Sequence, residues 1–292
     1  MKRSDFIKSL ALLPFLSTGM TLKELSKISE GFKPTAMMPA LFVGHGSPMN
    51  AIEDNEFSRT WQRLGKELPK PNAILCISAH WETKGTFVTA MEAPKTIHDF
   101  GGFPRELFAV QYPAKGSDTL VKETKQAISK IVVELDHEWG LDHGAWSVIK
   151  HMYPDANVPV VQLSLDYRQD AAYHYELAKE LASLRKKGVL IVGSGNMVHN
   201  LGIMDWRNAN QGYDWAVTAN EKFKSLISSK NHSDLIKYSS LGKEIQLSIP
   251  SPEHYLPLLY ILALQNDKEE AKFFNDKEVY GSISMTGVMI GG

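Results

Sequence analysis

The sequence predicts a single three-layer α/β/α domain with a central, largely parallel sheet. Three observations carry this. Apolar runs at residues 40–43, 73–79, 159–165 and 189–192 read as buried strands, each stopped by glycine, proline or polar residues. Segments with apolar residues at helical spacing alternate with those runs. No internal repeat, low-complexity tract or interior linker divides the 292 residues, so one large domain is the simplest organisation.

Taken in order, residues 1–35 read as a leader and linker, and residues 36–292 as the folded domain. Lys2-Arg3-Ser4-Asp5-Phe6-Ile7-Lys8, followed by Leu10-Ala11-Leu12-Leu13, has a basic n-region and a short h-region. It is similar to a twin-arginine export signal, although its basic pair is Lys-Arg and no small-x-small cleavage site follows. A used leader would place the protein in the periplasm, and an unused one in the cytoplasm. No apolar run reaches the ~18 to 20 residues needed to cross a bilayer.

After the first strand, Phe57, Trp61, Leu64 and Leu68 mark a helix, closed by Pro69 and Pro71. Residues 86–91 read as a short strand and residues 96–104 as an aromatic, glycine-rich loop. Ser117 caps a helix to about residue 130, and a strand follows at 131–135. Residues 139–146 form a loop opening into a short helix. The helix at 171–184 is closed by Lys186-Lys187-Gly188, which suits its dipole. Further helices fit 214–228 and 231–241. Pro257 sets the regular start of a helix announced by Ser251-Pro252-Glu253-His254. The alternation of residues 282–286 predicts a final strand.

The composition removes several functions. Thirty-two basic and 33 acidic residues give a net charge of -1, and no basic stripe points to nucleic acid or an anionic membrane. The one cysteine, Cys76, lies inside an apolar strand. That excludes an intramolecular disulfide and a thiolate cluster, so any metal falls to the ten histidines and to carboxylates. There is no G-x-G-x-x-G and no P-loop. Gly193-Ser194-Gly195 follows a strand but does not meet the G-x-S-x-G nucleophile pattern.

Histidines recur where elements end. His45 follows the first strand between two glycines, His80 ends the second, and His199 follows the strand at 189–192. His143 lies between Asp142 and Gly144, and His254 at a helix start beside Glu253. In an open α/β sheet the strand ends face one crevice, and imidazoles gathered there suit a metal. His98, in the aromatic loop, is placed to line the mouth of such a pocket.

Gly44-His45-Gly46-Ser47-Pro48-Met49-Asn50, Ser78-Ala79-His80-Trp81, Ile97-His98-Asp99-Phe100-Gly101-Gly102-Phe103-Pro104, Asp142-His143-Gly144, Val198-His199-Asn200 and Pro252-Glu253-His254-Tyr255-Leu256-Pro257-Leu258 resemble class III extradiol ring-cleavage dioxygenases. They are most similar to the single-domain branch named for 4,5-DOPA extradiol dioxygenase. The resemblance runs from about residue 38 to residue 291. It implies metal-dependent cleavage of a catechol, a 4,5-DOPA-like aromatic diol, with O2. Residues 36–292 would then be the catalytic domain.

The resemblance also implies roles. His45 and His80 match metal ligands, and His254 matches the histidine that replaces the usual carboxylate in this branch. His199 matches the acid–base histidine, or a fourth ligand in the substrate-free state. His143 matches a histidine beside the substrate. Phe100, Phe103 and Trp146, with His98, are placed to pack against the ring. An all-imidazole set suits Zn²⁺ as well as Fe²⁺. The rivals are a zinc hydrolase, in which three imidazoles activate water, and an exported metal- or ligand-binding protein without turnover.

Overall fold

The computed structural model describes residues 31–292. Six strands form the central sheet: β1 (Ala40–Gly44), β2 (Ala73–Ser78), β3 (Val160–Gln162), β4 (Val189–Gly195), β5 (Ala271–Phe274) and β6 (Gly287–Ile290). Their order is β3-β2-β4-β1-β6-β5. The first four run parallel, whereas β6 is antiparallel to both β1 and β5. The expected α/β/α class with a largely parallel sheet is therefore observed. The leader expected over residues 1–35 lies, up to residue 30, outside the described residues.

Side chains of one strand alternate between the two faces, and each face has its own apolar layer. Phe42, Leu75, Ile77, Val161 and Ile191 face one way, and Leu41, Val43, Ile74, Cys76 and Val192 the other. The second layer is covered by α1 (Glu56–Glu67) and by the helix His143–Met152, through Trp61, Leu64, Trp146 and Ile149. Asn55 starts α1 by accepting the Phe57 and Ser58 N–H groups at 3.0 Å, while Ser58 Oγ accepts the Asn55 N–H. Helix α2 (Asp118–Ala127) is capped by Ser117, as expected, and the helix His143–Met152 is α3. Helices α4 (Ala171–Glu180), α5 (Asp214–Ser228) and α6 (Leu256–Leu262) cover the first layer.

Two strand expectations need correction, and the helix expected over 231–241 is a short helix, His232–Ile236, followed by a 3-10 turn at Tyr238–Ser240. The run at 159–165 is two strands: the Leu163 N–H still reaches Cys76 O at 2.9 Å while Leu163 also bridges Val88, and Leu165–Asp166 pairs instead with Glu82–Thr83. The last sheet strand is Gly287–Ile290; only Ile283–Ser284 of the expected 282–286 is extended, and it pairs with Glu278–Val279. Among the described residues no helix is long and apolar enough to cross a membrane.

His174 is fully buried between α4 and α6. Its Nδ1 meets Tyr260 Oη at 3.0 Å and its Nε2 makes no hydrogen bond. Burial pushes its pKa down to about 4, against the opposing pull of Asp166. The unfolded chain takes up this proton near pH 6.5 and the folded chain does not. Stability is therefore full above about pH 6.5 and falls as pH drops toward 4. The cost at pH 5 is on the order of 2 kcal/mol. Urea midpoints at pH 7 and pH 5 should differ less in His174→Gln than in the parent chain; an equal loss in both excludes His174 as a source of the slope.

Candidate active site

All five histidines singled out at element ends meet at the carboxyl end of the sheet. They line one cavity of about 310 Å³. His45 leaves β1 into a tight turn in which Gly46 takes a positive φ of 61°, accessible to glycine at no steric cost. Ser47 caps the short turn Pro48–Ala51, and Asn50 Nδ2 donates to the His45 carbonyl at 3.0 Å. The His45 N–H reaches Gly195 O at 3.2 Å, and the Asn196 N–H reaches His254 O at 2.9 Å. A Cβ on Gly195 would lie 2.1 Å from that carbonyl. The glycine after Ser194 thus admits the His254 segment; it does not form a nucleophile turn.

Asp142 sets α3 in place. Its Oδ1 accepts the Ala145 N–H at 3.1 Å and the Ser78 hydroxyl at 2.6 Å, and its Oδ2 accepts Gln162 Nε2 at 2.7 Å. His143, the first residue of α3, is thereby held beside His80, with ring centroids 3.9 Å apart.

Hydrogen bonds fix which nitrogen of each ring faces the cavity. Ser194 Oγ donates to Gly144 O at 2.6 Å, so it accepts at 3.0 Å from His45 Nδ1. His254 Nδ1 donates to Glu253 Oε1 at 3.1 Å. Asp99 Oδ2 lies 3.0 Å from His143 Nδ1 and 3.4 Å from His80 Nδ1, and Oδ1 accepts the His143 N–H at 2.9 Å. In each of these contacts the partner is an acceptor, so Nδ1 is the nitrogen turned to it and Nε2 is the nitrogen turned away.

The nitrogens turned away converge. His45 and His80 Nε2 are 3.2 Å apart, and His254 Nε2 is buried without a hydrogen-bond partner. Ligand atoms of the three residues all lie within 4.8 Å of one another. Two nitrogens each ~2.1 Å from one ion would sit roughly 3 to 3.4 Å apart. The three imidazoles therefore fit a divalent cation, and their acceptors are the outer partners that orient metal-ligating histidines.

Burial, followed by the neighbouring imidazoles, holds His45 and His254 well below the usual histidine pKa. His80 is lowered by burial and by His143. Burial also pushes His199 down to about 4, with Glu253 opposing. All four are neutral near pH 7, the state a metal ligand or a general base requires. Burial would raise Asp99, but hydrogen bonds from His143 outweigh it and hold the carboxyl below its ordinary range. The His199 ring stacks on His254, with centroids 3.5 Å apart and planes 9° from parallel.

Phe100 and Phe103 line the cavity. His98 and Trp146 stand behind that wall. His98 Nε2 donates to Val110 O at 3.0 Å, and fully buried Trp146 donates from Nε1 to Ile97 O at 2.8 Å. Both rings hydrogen-bond backbone carbonyls, so both support the loop that carries Asp99 and Phe100. Asp99, Ser194 and Glu253 were not singled out from sequence. Adjacency to a candidate histidine, His98 for Asp99 and His254 for Glu253, is the sequence signal that could have flagged two of them.

A profile of the family described as the catalytic LigB subunit of aromatic ring-opening dioxygenase matches residues 37–291. The protein named 4,5-DOPA dioxygenase extradiol from Escherichia coli (strain K12) is 48% identical over 258 residues, covering 87% of this chain and 95% of the relative. Its namesake from Beta vulgaris is 34% identical over 257 residues, covering 84% and 95%. The crystal structure of an uncharacterized protein from Escherichia coli K12 superposes with a TM-score of 0.76 at 44% identity. That match covers 87% of this chain and 100% of the other.

Proposed function

Since this chain belongs to the family of the catalytic LigB subunit of aromatic ring-opening dioxygenase, in its 4,5-DOPA extradiol branch, we infer that it is an extradiol ring-cleavage dioxygenase acting in the histidine-lined cavity. Its substrates are an aromatic diol and O2. The carrying observation is the convergence of the His45, His80 and His254 imidazoles beside an aromatic wall, with His254 Nε2 buried and without a partner.

His45, His80 and His254 would hold one divalent ion, Fe²⁺ or Zn²⁺. When bound, it would supply positive charge that favours the ionised diol and brings it beside O2. The remaining steps belong to side chains. His199 is neutral and lies on the cavity wall, so it accepts the second phenolic proton and later returns it to the ring oxygen. His143 presents Nε2 because Asp99 holds its Nδ1, and it positions the substrate within the cavity. Phe100 and Phe103 pack the ring and keep water from it.

Metal analysis followed by anaerobic Fe²⁺ reconstitution tests this reading. Oxygen uptake with catechols and a yellow ring-fission product are expected. Hydrolysis with Zn²⁺ alone, without oxygen uptake, would replace it with the hydrolase.

A further inference from the structure

The cavity opens beside an aromatic pair. Trp206 and Tyr280 both line it, with ring centroids 5.5 Å apart and planes tilted by 51°. Trp206 keeps 70% of its surface in water, so the pair stands where the cavity meets solvent. Tyr280 is held there under strain. It turns the hairpin between Glu278–Val279 and Ile283–Ser284 with a φ of 51°. Glycine or asparagine takes that left-handed conformation readily, whereas a bulky side chain does not. Backbone bonds fix the turn: the Asp205 N–H donates to Tyr280 O at 2.8 Å, the Tyr213 N–H to Gly281 O at 2.7 Å, and the Gly281 N–H to Gln211 O at 2.8 Å. A strained tyrosine pinned against an exposed tryptophan at a cavity mouth suits a ligand that needs both rings.

The surrounding charges indicate which ligand. Among the described residues no lysine or arginine lines the cavity, and its one carboxylate is Asp99. Glu253 adds a second carboxylate behind the imidazoles, 3.1 Å from His254 Nδ1. Arg207, next to Trp206 in sequence, lies 3.6 Å from Asp205 and is 96% exposed. Aromatic faces carry negative charge density, and an ammonium within about 6 Å of a tryptophan or tyrosine centroid is attracted to it. Rings 5.5 Å apart bring both centroids within that reach of one ammonium.

We propose that Trp206 and Tyr280 form the subsite for the ring substituent and that it receives an ammonium, so that the substrate class is a catechol bearing an aliphatic amine. With its two hydroxyls at the imidazoles, the diol turns the opposite edge of its ring toward the mouth. A substituent on that edge reaches the aromatic pair. Its ammonium lies over the ring faces while its methylenes pack on Leu201 and Ile283. A carboxylate on the same side chain stays at the wet rim, where the Trp206 indole and the Tyr280 hydroxyl are hydrogen-bond donors. The cation–π contact should strengthen binding about threefold to thirtyfold.

The proposal rests on the dioxygenase reading for the catechol head but not for the ammonium, so binding and turnover are measured separately. Anaerobic dissociation constants are taken on the metal-loaded full chain for two pairs that differ in the ammonium. Dopamine is compared with 4-propylcatechol, and DOPA with 3-(3,4-dihydroxyphenyl)propionate, with unsubstituted catechol as the reference for each variant. Oxygen uptake is then followed with the same compounds. The ammonium member of each pair should bind more tightly to the parent chain. Trp206→Leu and Tyr280→Leu should each cut that preference about threefold or more, whereas Tyr280→Phe, which keeps the ring, should preserve it. No preference for the ammonium in the parent overturns the proposal, as does a preference unchanged in either leucine variant. A loss in Tyr280→Phe equal to that in Tyr280→Leu would give the ammonium to the hydroxyl and overturns the ring-face contact. The expected preferences without oxygen uptake from any diol keep the subsite and overturn the reaction class instead.

Discussion

His45→Ala, His80→Ala and His254→Ala should each give a folded chain that has lost most of its metal and, with it, its turnover. The three rings come from different parts of the chain: the end of β1, the end of β2 and the segment before α6. Each ring has its Nδ1 held by a separate acceptor. Removing one leaves two nitrogens and a hole where the third donor stood. Loss of an outer partner of a metal ligand alone costs about 10- to 100-fold in affinity, and loss of the ligand should cost more. Metal content after dialysis against a weak chelator gives the result, and circular dichroism controls for folding. Full occupancy in all three variants would sink the assignment.

His199→Ala should behave differently. Its ring lies flat against His254 but outside the group formed by His45, His80 and His254. Neutral by burial, it is suited to carry a proton. Its loss should leave metal bound and catechol binding intact while turnover falls roughly 10² to 10⁴-fold. A moderate drop in metal affinity alongside that fall would fit a fourth ligand that substrate displaces. Metal loss as complete as in His45→Ala would make His199 chiefly a ligand.

Much of this architecture is legible in the sequence because its central strands are buried on both faces. Such strands read as unbroken apolar runs, and the runs at residues 40–43, 73–79 and 189–192 became β1, β2 and β4. Their carboxyl ends had to share a crevice, which is why His45, His80 and His199 could be grouped before any contact was known. Pairing is harder to read. Residues 282–286 and Gly287–Ile290 are neighbouring short segments, and only the latter meets the open edge of β1. A two-residue alternation does not specify which one does. The aromatic loop is harder still. His98 and Asp99 are adjacent, yet one turns to the Val110 carbonyl and the other to His143. An irregular loop has no period from which that divergence could be foreseen.

Asp99 Oδ2 lies between the ring of a proposed metal ligand, His80, and the ring of a proposed substrate contact, His143. Whatever draws His143 toward a ligand loosens its grip on that oxygen and changes what the oxygen offers His80. The two halves of the site therefore share a coupling free energy. In a double-mutant cycle, changes at His80 and His143 should depart from additivity by about 0.5 to 3 kcal/mol. Linkage makes the effect reciprocal: if loading the cation tightens diol binding by some factor, bound diol tightens cation binding by the same factor. An enzyme saturated with its diol would then retain its metal against a chelator that empties the resting form.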